Sequence, residues 1–337
     1  MKICANCFND KEIKNYIISA SKGDKKICDC CKEQSEVIEL EELLDFFDEF
    51  ISVFKKDEIN GIPLIELVQN DWNFFSSTNC ANTIINEVVN LIQNDENIDG
   101  DTKVSYNDEI QNCVNYWDEL KETLKHKRRF ILNSNDLEDL EWDSLLSDTI
   151  TCDSSTIFYR ARIHTDKEKI FTKNDLLAPP KEICKGGRAN PEGIPYLYLC
   201  KDMETTLYET RSAYTDEVSV GLFKLNDGER LSFADFTENN YYSIFGENIT
   251  DCIKRKLLKR HISEDLSKPM RRFDSKLEYI PTQFICEFIR FYSDADGIQF
   301  NSSIHRNGIN VVVFNKDKLD CTDIKELTIT GVNIKHN

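Results

Sequence analysis

Two pairs of cysteines at the start of the chain limit how its first residues can fold. Each pair encloses two residues, the pairs stand about twenty residues apart, and their members are Cys4, Cys7, Cys28 and Cys31. This spacing is typical of zinc ribbons, in which two tight turns present four thiolates to one tetrahedral Zn²⁺. We therefore expect a closed, structural zinc site in residues 1–35. Cys30 is a competing thiol, and four reduced surface cysteines without metal are the alternative.

The other cysteines indicate a reducing environment. The chain has 13 cysteines, and most of those beyond the first 35 residues stand alone in apolar segments. An odd number of isolated cysteines favours free thiols over a disulfide framework. The chain starts without a basic-then-apolar signal segment and has no run of about 18 apolar residues, so we expect a cytoplasmic protein without a membrane span.

Charge divides the chain into two parts. Residues 1–150 hold 15 Lys and Arg against 32 Asp and Glu, a balance of −17, whereas residues 151–337 hold 27 against 28, a balance of −1. This asymmetry predicts two units with different surfaces. It also argues against nucleic acid as a partner of the first part, because an acidic surface repels phosphates.

Residues 36–150 are expected to form a helical accessory domain. Their apolar residues recur at intervals of three and four, which is the helical period. The expected helices begin near Ser35 and then cover about Ile62–Phe75, Thr83–Gln93, Asn107–Phe130 and Leu137–Leu146. No strand is expected in this region, which we interpret as a support or sensor for the rest of the chain.

A nuclease activity of the helical domain is disfavoured. Small helical nucleases of the HEPN kind use an arginine followed, after four to six residues, by a histidine. The only histidine in residues 35–150 is His126, and no arginine precedes it at that spacing. Arg255 and His261 fit the spacing, but they lie in the run KRKLLKRH, for which a basic helix face is the favoured interpretation.

Residues 151–337 predict a mixed domain of strands and helices. The expected strands are Thr156–Ile163, Tyr196–Leu199, Val218–Leu225, Leu231–Phe233, Ile298–Phe300, Asn310–Phe314 and Leu327–Ile334. The expected helices are one from Asp202, its N-cap, through Glu209, and two more at Ile249–His261 and Pro281–Tyr292.

One stretch of this domain, Gly186–Arg211, carries three chemically useful side chains. Arg188 lies on a glycine-rich turn, Tyr198 on an apolar strand and Glu209 on the following helix. A guanidinium can hold an anionic ligand, a tyrosine can face a flat ring, and a carboxylate can stabilise a developing cation. This combination suits cleavage of an N-glycosidic bond in a dinucleotide. The alternative is a buried strand followed by a surface helix with ordinary charges.

Several motifs of the second part stand in a recognisable order. They are Arg160 in FYRAR, the GR-x-N-x-x-G-x-P turn Gly187–Pro195, Tyr198 in YLYL, Glu209 in ETTLYE, and the segments Asp296–Ser302 and Gly308–Phe314. In this order the motifs resemble the RES-domain family. Ala189 departs from the family, which often has an aromatic residue there. The N-terminal helical region with its paired cysteines resembles the HEPN-related domain that is fused to some RES domains.

The resemblance implies a fold like that of ADP-ribosyltransferases, in which helices surround two small, packed, mixed β-sheets. With the zinc-ribbon-like segment (1–35) and the helical domain (36–150), the expected class is α+β. The resemblance also implies NAD as the substrate of residues 151–337. Family members act mainly as toxins that degrade NAD by phosphorolysis or hydrolysis, and many are restrained by an antitoxin.

The resemblance also assigns roles to charged residues. Cleavage of the nicotinamide–ribose bond builds positive charge on the ribose, as in an oxocarbenium ion, and an ionised Glu209 would stabilise that charge. Arg160 and Arg188 would bind the pyrophosphate or an attacking inorganic phosphate, because guanidinium groups match such oxygens.

Tyr198 and Ser302 complete the expected site. Tyr198 would pack against the nicotinamide or its ribose, and Ser302 would donate a hydrogen bond to a phosphate or ribose oxygen. Ser303 is the adjacent alternative. The expected catalytic residues are therefore Glu209, Arg160 and Ser302, although a strand-face ion pair, a core aromatic and a turn cap are the alternatives for Arg160, Tyr198 and Ser302.

The expected function is that of an NAD phosphorylase or NAD glycohydrolase acting as a bacterial toxin or defence effector. The alternatives are a protein ADP-ribosyltransferase and a catalytically inactive, nucleotide-binding regulatory protein. Besides NAD and inorganic phosphate, the expected partner is an antitoxin or regulatory protein, and a homo-oligomer is an open alternative. Neither nucleic acid nor a membrane is expected as a partner.

Overall fold

The computed structural model describes residues 1–23, 25–92, 98–132, 149–166, 170–237, 248–269 and 275–332. The chain divides into two compact units. Unit 1 comprises Met1–Asn115 and Tyr241–Lys256, and unit 2 comprises Tyr116–Asn240 and Leu257–Asn337. The predicted domain boundaries after residues 35 and 150 remain predictions. Among the helices of the described ranges, none is long and apolar enough to cross a membrane.

Unit 1 begins with a small antiparallel sheet. Strand β1 (Lys2–Cys4) pairs with β3 (Gln34–Glu39), which in turn pairs with β2 (Lys25–Ile27). Helix α1 (Lys11–Ala20) follows β1, and the side chain of Asp10 caps it by accepting hydrogen bonds from two backbone N–H groups of its first turn. The sheet and α1 set the positions of the two cysteine pairs.

The predicted start of the first long helix is wrong. Helix α2 covers Leu44–Ser52 and follows a 3₁₀ turn at Leu40–Leu43, whereas Ser35 lies in β3. Val37 and Ile38 are both buried in β3, where β-branched side chains pack well. Pairing with β1 therefore outweighs the helical spacing of the local apolar residues.

The remainder of unit 1 combines helices with a second small sheet. The helices are α3 (Leu64–Trp72), α4 (Thr78–Ile92) and the first part of α5 (Asp108–His126), which belongs to unit 2 from Tyr116 onward. The sheet has the order β4 (Phe54–Lys56), β6 (Lys103–Tyr106), β5 (Ile62–Pro63). The expectation of no strand between residues 35 and 150 is thus wrong, because strands of two to four residues are too short to show alternation. The predicted helix Leu137–Leu146 lies outside the described residues.

Aromatic side chains form the core of unit 1. Phe74 stacks on Phe46 and Phe50 with ring centroids 5.8 Å apart in each case, and Phe47 meets Phe46 edge-on at 5.2 Å. These rings come from α2 and from the segment that follows α3. Such pairs stabilise a core beyond the area that they bury, so short helices of nine residues can hold together here.

Unit 2 is built on one eight-stranded mixed sheet. In chain order its strands are β7 (Thr149–Cys152), β8 (Ile157–Ile163), β9 (Leu197–Cys200), β10 (Glu217–Leu225), β11 (Leu231–Phe236), β12 (Gly297–Asn301), β13 (Ile309–Val313) and β14 (Leu319–Thr328). The spatial order is β14-β10-β8-β9-β13-β12-β11-β7. The β11–β12 pair is parallel, and the other pairs are antiparallel.

The sheet has a narrow seam between β8 and β9. Tyr159 and Cys200 are the registered pair that joins these two strands, whereas β8 and β10 pair along seven residues. Two groups of strands therefore meet at this seam, where the resemblance had implied two separate packed sheets. The α+β class is confirmed by the mixed sheet, the helices and the N-terminal cysteine cluster.

Unit 2 also contains helices α6 (Lys173–Leu176), α7 (Met203–Glu209), α9 (Ile280–Tyr292) and the part of α8 (Ile249–Ser267) from Leu257 onward. Asp202 caps α7 as predicted, because its side chain accepts from the backbone N–H of Thr205. The last strand, β14, starts eight residues before the predicted Leu327 and pairs with β10 from Leu319 to Thr328. Most positions of β14 are polar and exposed, so the apolar spacing of the sequence does not predict the first part of this strand.

Candidate functional site

A cavity of about 340 Å³ lies against β8, β9, β13 and the ends of α7 and α8 in unit 2. Its volume falls at the lower end of the usual range for ligand pockets, about 300–1,000 Å³. The polar and charged side chains that line it include Arg160, Arg188, Tyr198, Glu209, Arg211 and Asn310. Four of these residues, namely Arg160, Arg188, Tyr198 and Glu209, are predicted from the sequence to share one site. The structure places all four around one cavity.

Glu209, the last residue of α7, presents a carboxylate that is held by two neutral donors. Its Oε1 accepts from the Ser302 hydroxyl over 2.7 Å and from the Asn310 amide over 2.8 Å. Both donors are neutral groups, so neither supplies a positive charge to the carboxylate. Among the described residues no cation forms an ion pair with Glu209, so its negative charge is directed to the cavity.

Ser302 is fixed in place by its own turn. Its backbone N–H donates to the carbonyl of Gly308 over 2.8 Å, and its hydroxyl accepts from the backbone N–H groups of Ile304 and His305. The one proton of the hydroxyl goes to Glu209, so the structure shows Ser302 orienting the carboxylate. The neighbouring Ser303 is exposed and lines the cavity.

Asn310 orients its amide through a second contact. The thiol of Cys200 donates to Asn310 Oδ1 over 3.3 Å, so the Nδ2 group faces Glu209. Burial raises the pKa of Cys200 to about 12, and the charge of Glu209 acts in the same direction. The thiol therefore stays protonated and remains a donor.

Arg160 and Arg188 bring two positive charges to the cavity. Within the described part of the chain, neither guanidinium forms an ion pair with a carboxylate. Arg160 donates to the carbonyl of Leu177 over 3.2 Å, and burial together with the charge of Arg162 lowers the pKa of Arg160 to about 10. Burial also lowers the pKa of Arg188. Both groups stay cationic at neutral pH, and both can attract an anionic ligand.

Main-chain carbonyls at the end of α8 hold Arg188. Its Nη1 donates to the carbonyl of Asp265 over 2.6 Å, its Nη2 donates to the carbonyl of Lys268, and its Cζ lies 5.6 Å from the Tyr279 ring centroid. Carbonyls at a helix C-terminus carry partial negative charge and lack partners within the helix. They therefore fix this guanidinium without neutralising it.

Asp265 is in turn held by α5. Trp117 Nε1 and Lys121 Nζ donate to Asp265 Oδ2 over 2.8 and 2.9 Å. Trp117 is fully buried, and these three residues all belong to unit 2. A chain of contacts thus leads from α5 through Asp265 to Arg188.

Tyr198 ties the glycine-rich turn to β9. Its hydroxyl donates to Asn190 Oδ1 over 2.7 Å and accepts from the Ala189 N–H over 3.0 Å. Burial raises the pKa of the Tyr198 phenol, so it remains a donor. A Cβ at Gly187 would lie 2.7 Å from Asn190 Oδ1 and 2.8 Å from the Tyr198 hydroxyl, which explains the glycine. The hydroxyl is thus engaged by the turn, and Tyr198 lines the cavity from that anchor.

The four cysteines of the sequence prediction converge in unit 1. All four Sγ atoms lie within 4.8 Å of one another. The Cys4–Cys7, Cys4–Cys31 and Cys7–Cys28 Sγ atoms are 3.8, 3.5 and 3.6 Å apart. A zinc–sulfur bond of about 2.3 Å gives a tetrahedron with S···S edges of about 3.8 Å. The set therefore fits Zn²⁺, and its four sulfurs leave no coordination position for a substrate.

Two family models match parts of this chain. A family model described as the RES domain matches residues 157–330, which is just over half of the 337 residues. The chain belongs to the RES domain family. A second family model, HEPN/RES N-terminal domain 1, matches residues 21–138, and no curated protein matches the chain. Both resemblances expected from the sequence are confirmed.

Membership of the RES domain family carries a toxin-like, NAD-related function and implies NAD as the substrate. The matched segment contains every residue described around the cavity in strands β8, β9 and β13. The matched HEPN/RES segment contains two of the four cage cysteines, Cys28 and Cys31, while Cys4 and Cys7 precede it. The cage thus spans the start of that match.

Three residues that line the cavity, Asn310, Arg211 and Tyr279, are not predicted from the sequence as site residues. Asn310 stands in the G-x-N motif that helped to identify the family, and only the structure shows its bond to Glu209. Arg211 follows Thr210, the C-cap of α7, and its φ of 54° is a left-handed conformation that ends the helix; Arg211 also lines the cavity. Tyr279 lies in a segment without an apolar period, so no sequence signal pointed to it.

Proposed function

We propose that this RES domain protein cleaves the nicotinamide–ribose bond of NAD, as an NAD phosphorylase or an NAD glycohydrolase. The observation that carries the proposal is the pairing of one anchored carboxylate, Glu209, with two cations, Arg160 and Arg188, around one cavity. NAD needs both, because its pyrophosphate is anionic and its ribose becomes cationic during cleavage.

In the proposed reaction the C1′–N bond breaks and its electron pair moves to the nicotinamide nitrogen, so neutral nicotinamide leaves. The carboxylate of Glu209 stabilises the positive charge that develops on the ribose. An oxygen of inorganic phosphate or of water then bonds to C1′, and a water nucleophile gives up one proton. Arg160 and Arg188 hold the pyrophosphate or the attacking phosphate.

The remaining site residues position these groups. Ser302 and Asn310 keep Glu209 Oε1 in place, which leaves the other carboxylate oxygen for the ribose. Tyr198 holds the turn that carries Arg188. The four-cysteine cage of unit 1 holds a structural zinc ion and takes no part in the reaction.

In the cell, this activity would make the protein a toxin or defence effector that depletes NAD. The 13 free cysteines of the structure support a reducing, cytoplasmic location. Control by an antitoxin or regulatory protein is part of the proposal, and assembly into a homo-oligomer stays an open alternative.

The proposal is tested by incubating the full-length protein with NAD in phosphate buffer and in phosphate-free buffer. Release of nicotinamide is expected, and the second product identifies the nucleophile. A phosphorylated ADP-ribose indicates phosphorolysis, free ADP-ribose indicates hydrolysis, and ADP-ribose on protein, found by mass spectrometry, indicates transfer. If NAD binds and is recovered intact in both buffers, the protein is a nucleotide-binding regulator and the proposed activity is wrong.

A further inference from the structure

Two more thiols lie beside the zinc cage of unit 1. The Sγ atoms of Cys7, Cys30 and Cys80 lie within 4.8 Å of one another, and Cys7 also belongs to the cage. Cys7 and Cys80 are buried, and Cys30 is half-buried. Six thiols therefore form one cluster in which Cys7 is shared by two sets of sulfurs.

Backbone pairing builds this arrangement. The Asn9 N–H donates to the carbonyl of Phe74 over 2.8 Å, and the Ser76 N–H donates to the carbonyl of Cys7 over 3.0 Å. These bonds flank an antiparallel bridge between Phe8 and Phe75. The segment that leads into α4 is thus fastened to the turn that bears Cys7, which places the first turn of α4 beside the cage.

The start of helix α4 fixes the position of Cys80. Cys80 is the third residue of this 15-residue helix. The Ser76 hydroxyl donates to Cys80 Sγ over 3.6 Å, and the Cys80 N–H donates to the Ser77 hydroxyl over 3.1 Å. These contacts fix the sulfur at the side of Cys7.

We infer that unit 1 holds two metal ions, with a second Zn²⁺ bound by Cys7, Cys30 and Cys80. Cys7 bridges the two ions, because a thiolate sulfur has lone pairs for both. Binding of the second ion releases one proton each from Cys30 and Cys80. Three sulfurs satisfy three of the four tetrahedral positions, and soft thiolates select zinc over the hard divalent cations.

The same geometry explains the extra cysteine between the cage ligands. Cys28 and Cys31 face the cage, whereas Cys30, two residues after Cys28, is the one that falls with Cys7 and Cys80. One turn therefore serves both ions. A cage for a single zinc ion would need neither Cys30 nor a cysteine on α4.

The test measures zinc per chain in the full-length protein. The protein is purified with reductant, dialysed against a weak chelator to remove loosely bound metal, and analysed by mass spectrometry of the elements. Two zinc ions per chain are expected for the wild type and one for Cys80→Ser and for Cys30→Ser. Cys113→Ser is the matched control, because Cys113 is a buried cysteine of unit 1 outside the cluster, and it should keep two.

A titration with Co²⁺ provides a second measurement that does not depend on the purification. The wild type should gain thiolate-to-cobalt charge-transfer absorption with the first and the second equivalent, whereas Cys80→Ser should stop gaining it after the first. One zinc ion per chain in the wild type, or a second ion that persists in both Cys30→Ser and Cys80→Ser, would overturn the inference. Both results leave the four-cysteine cage and the NAD reaction untouched.

Discussion

At the scale of single residues, the site depends on how Glu209 is held. Ser302 and Asn310 donate to the same carboxylate oxygen, and Cys200 orients Asn310 from its other side. A carboxylate that is fixed before substrate binds loses little free energy to reorganisation when charge develops next to it. We therefore expect Asn310 to act as a positioning residue, a role that its place in the strand motif did not predict.

Removing the Asn310 amide should slow the reaction more than it weakens binding. In Asn310→Ala we expect kcat to fall about 10- to 100-fold with KM little changed, because a hydrogen bond to a charged group contributes about 1.5–3 kcal/mol. Steady-state kinetics with NAD measure this split. Asn315→Ala, which removes the cap of a short 3₁₀ turn, is the control. A wild-type kcat in Asn310→Ala would show that Glu209 needs no such support.

The residue types of the site could be predicted from the sequence, but their contacts could not. Glu209, Arg160, Arg188 and Tyr198 were named from motif order, and they do line one cavity. The bond from Ser302 to Glu209 joins residues 93 positions apart, so its distance is set by the placement of α7 and β12 rather than by any local pattern. The contact of Ser302 with Glu209 therefore appears only in the structure, and its contact with a ligand stays a prediction.

At the scale of elements, the end of α8 connects α5 to the site. Trp117 and Lys121 of α5 bind the Asp265 carboxylate, and the Asp265 carbonyl accepts from Arg188. Residues of α5 from Tyr116 onward group with unit 2. From the sequence this helix is predicted within the accessory domain, because apolar periodicity shows that a helix forms and not what it packs against.

The Asp265 carboxylate should matter for substrate binding through Arg188. In Asp265→Ala we expect KM for NAD to rise about tenfold while kcat changes less, since Arg188 is proposed to bind the pyrophosphate. The double variant Asp265→Ala/Arg188→Ala should be little worse than Arg188→Ala alone. Glu264→Ala, an exposed neighbour on the same helix, is the control. Additive effects in the double variant would contradict the connection.

Element boundaries show which local signals are reliable. The predicted strands at β8, β10 and β13 and the helix α7 agree with the structure within a few residues, because each carries a clear apolar pattern or cap. The short strands β4, β5 and β6 and the polar edge strand β14 carry no such pattern. They form because a partner strand is present, and that partner is distant in the sequence.

At the scale of the whole molecule, the cavity lies where two groups of strands meet. Only Tyr159 and Cys200 join β8 to β9 in the described sheet, and the cavity takes residues from both strands next to this pair. Incomplete pairing at the seam leaves room for side chains that a continuous sheet would pack together. Unit 1, in contrast, begins with a sheet whose strands have only three to six residues, so we expect zinc in its four-cysteine cage to contribute to its stability.

Metal removal should therefore destabilise unit 1. A strong zinc chelator is expected to lower the midpoint of its thermal unfolding by about 10 °C or more, since structural zinc contributes several kcal/mol to folding. Differential scanning calorimetry measures the midpoint, and added Zn²⁺ should restore it. The same chelator saturated with zinc is the control. An unchanged midpoint in chelator would mean that the four thiols hold no structural metal.

The most direct test of the account is the rate of nicotinamide release from NAD by the wild type, Glu209→Gln and Glu204→Gln. Glu204 lies in the first turn of the same helix and is exposed, so its variant should react like the wild type. Glu209→Gln keeps the size of the side chain but lacks its charge, and its rate should fall by a factor on the order of 10²–10³. An equal rate in the wild type and Glu209→Gln would contradict the central role of this carboxylate.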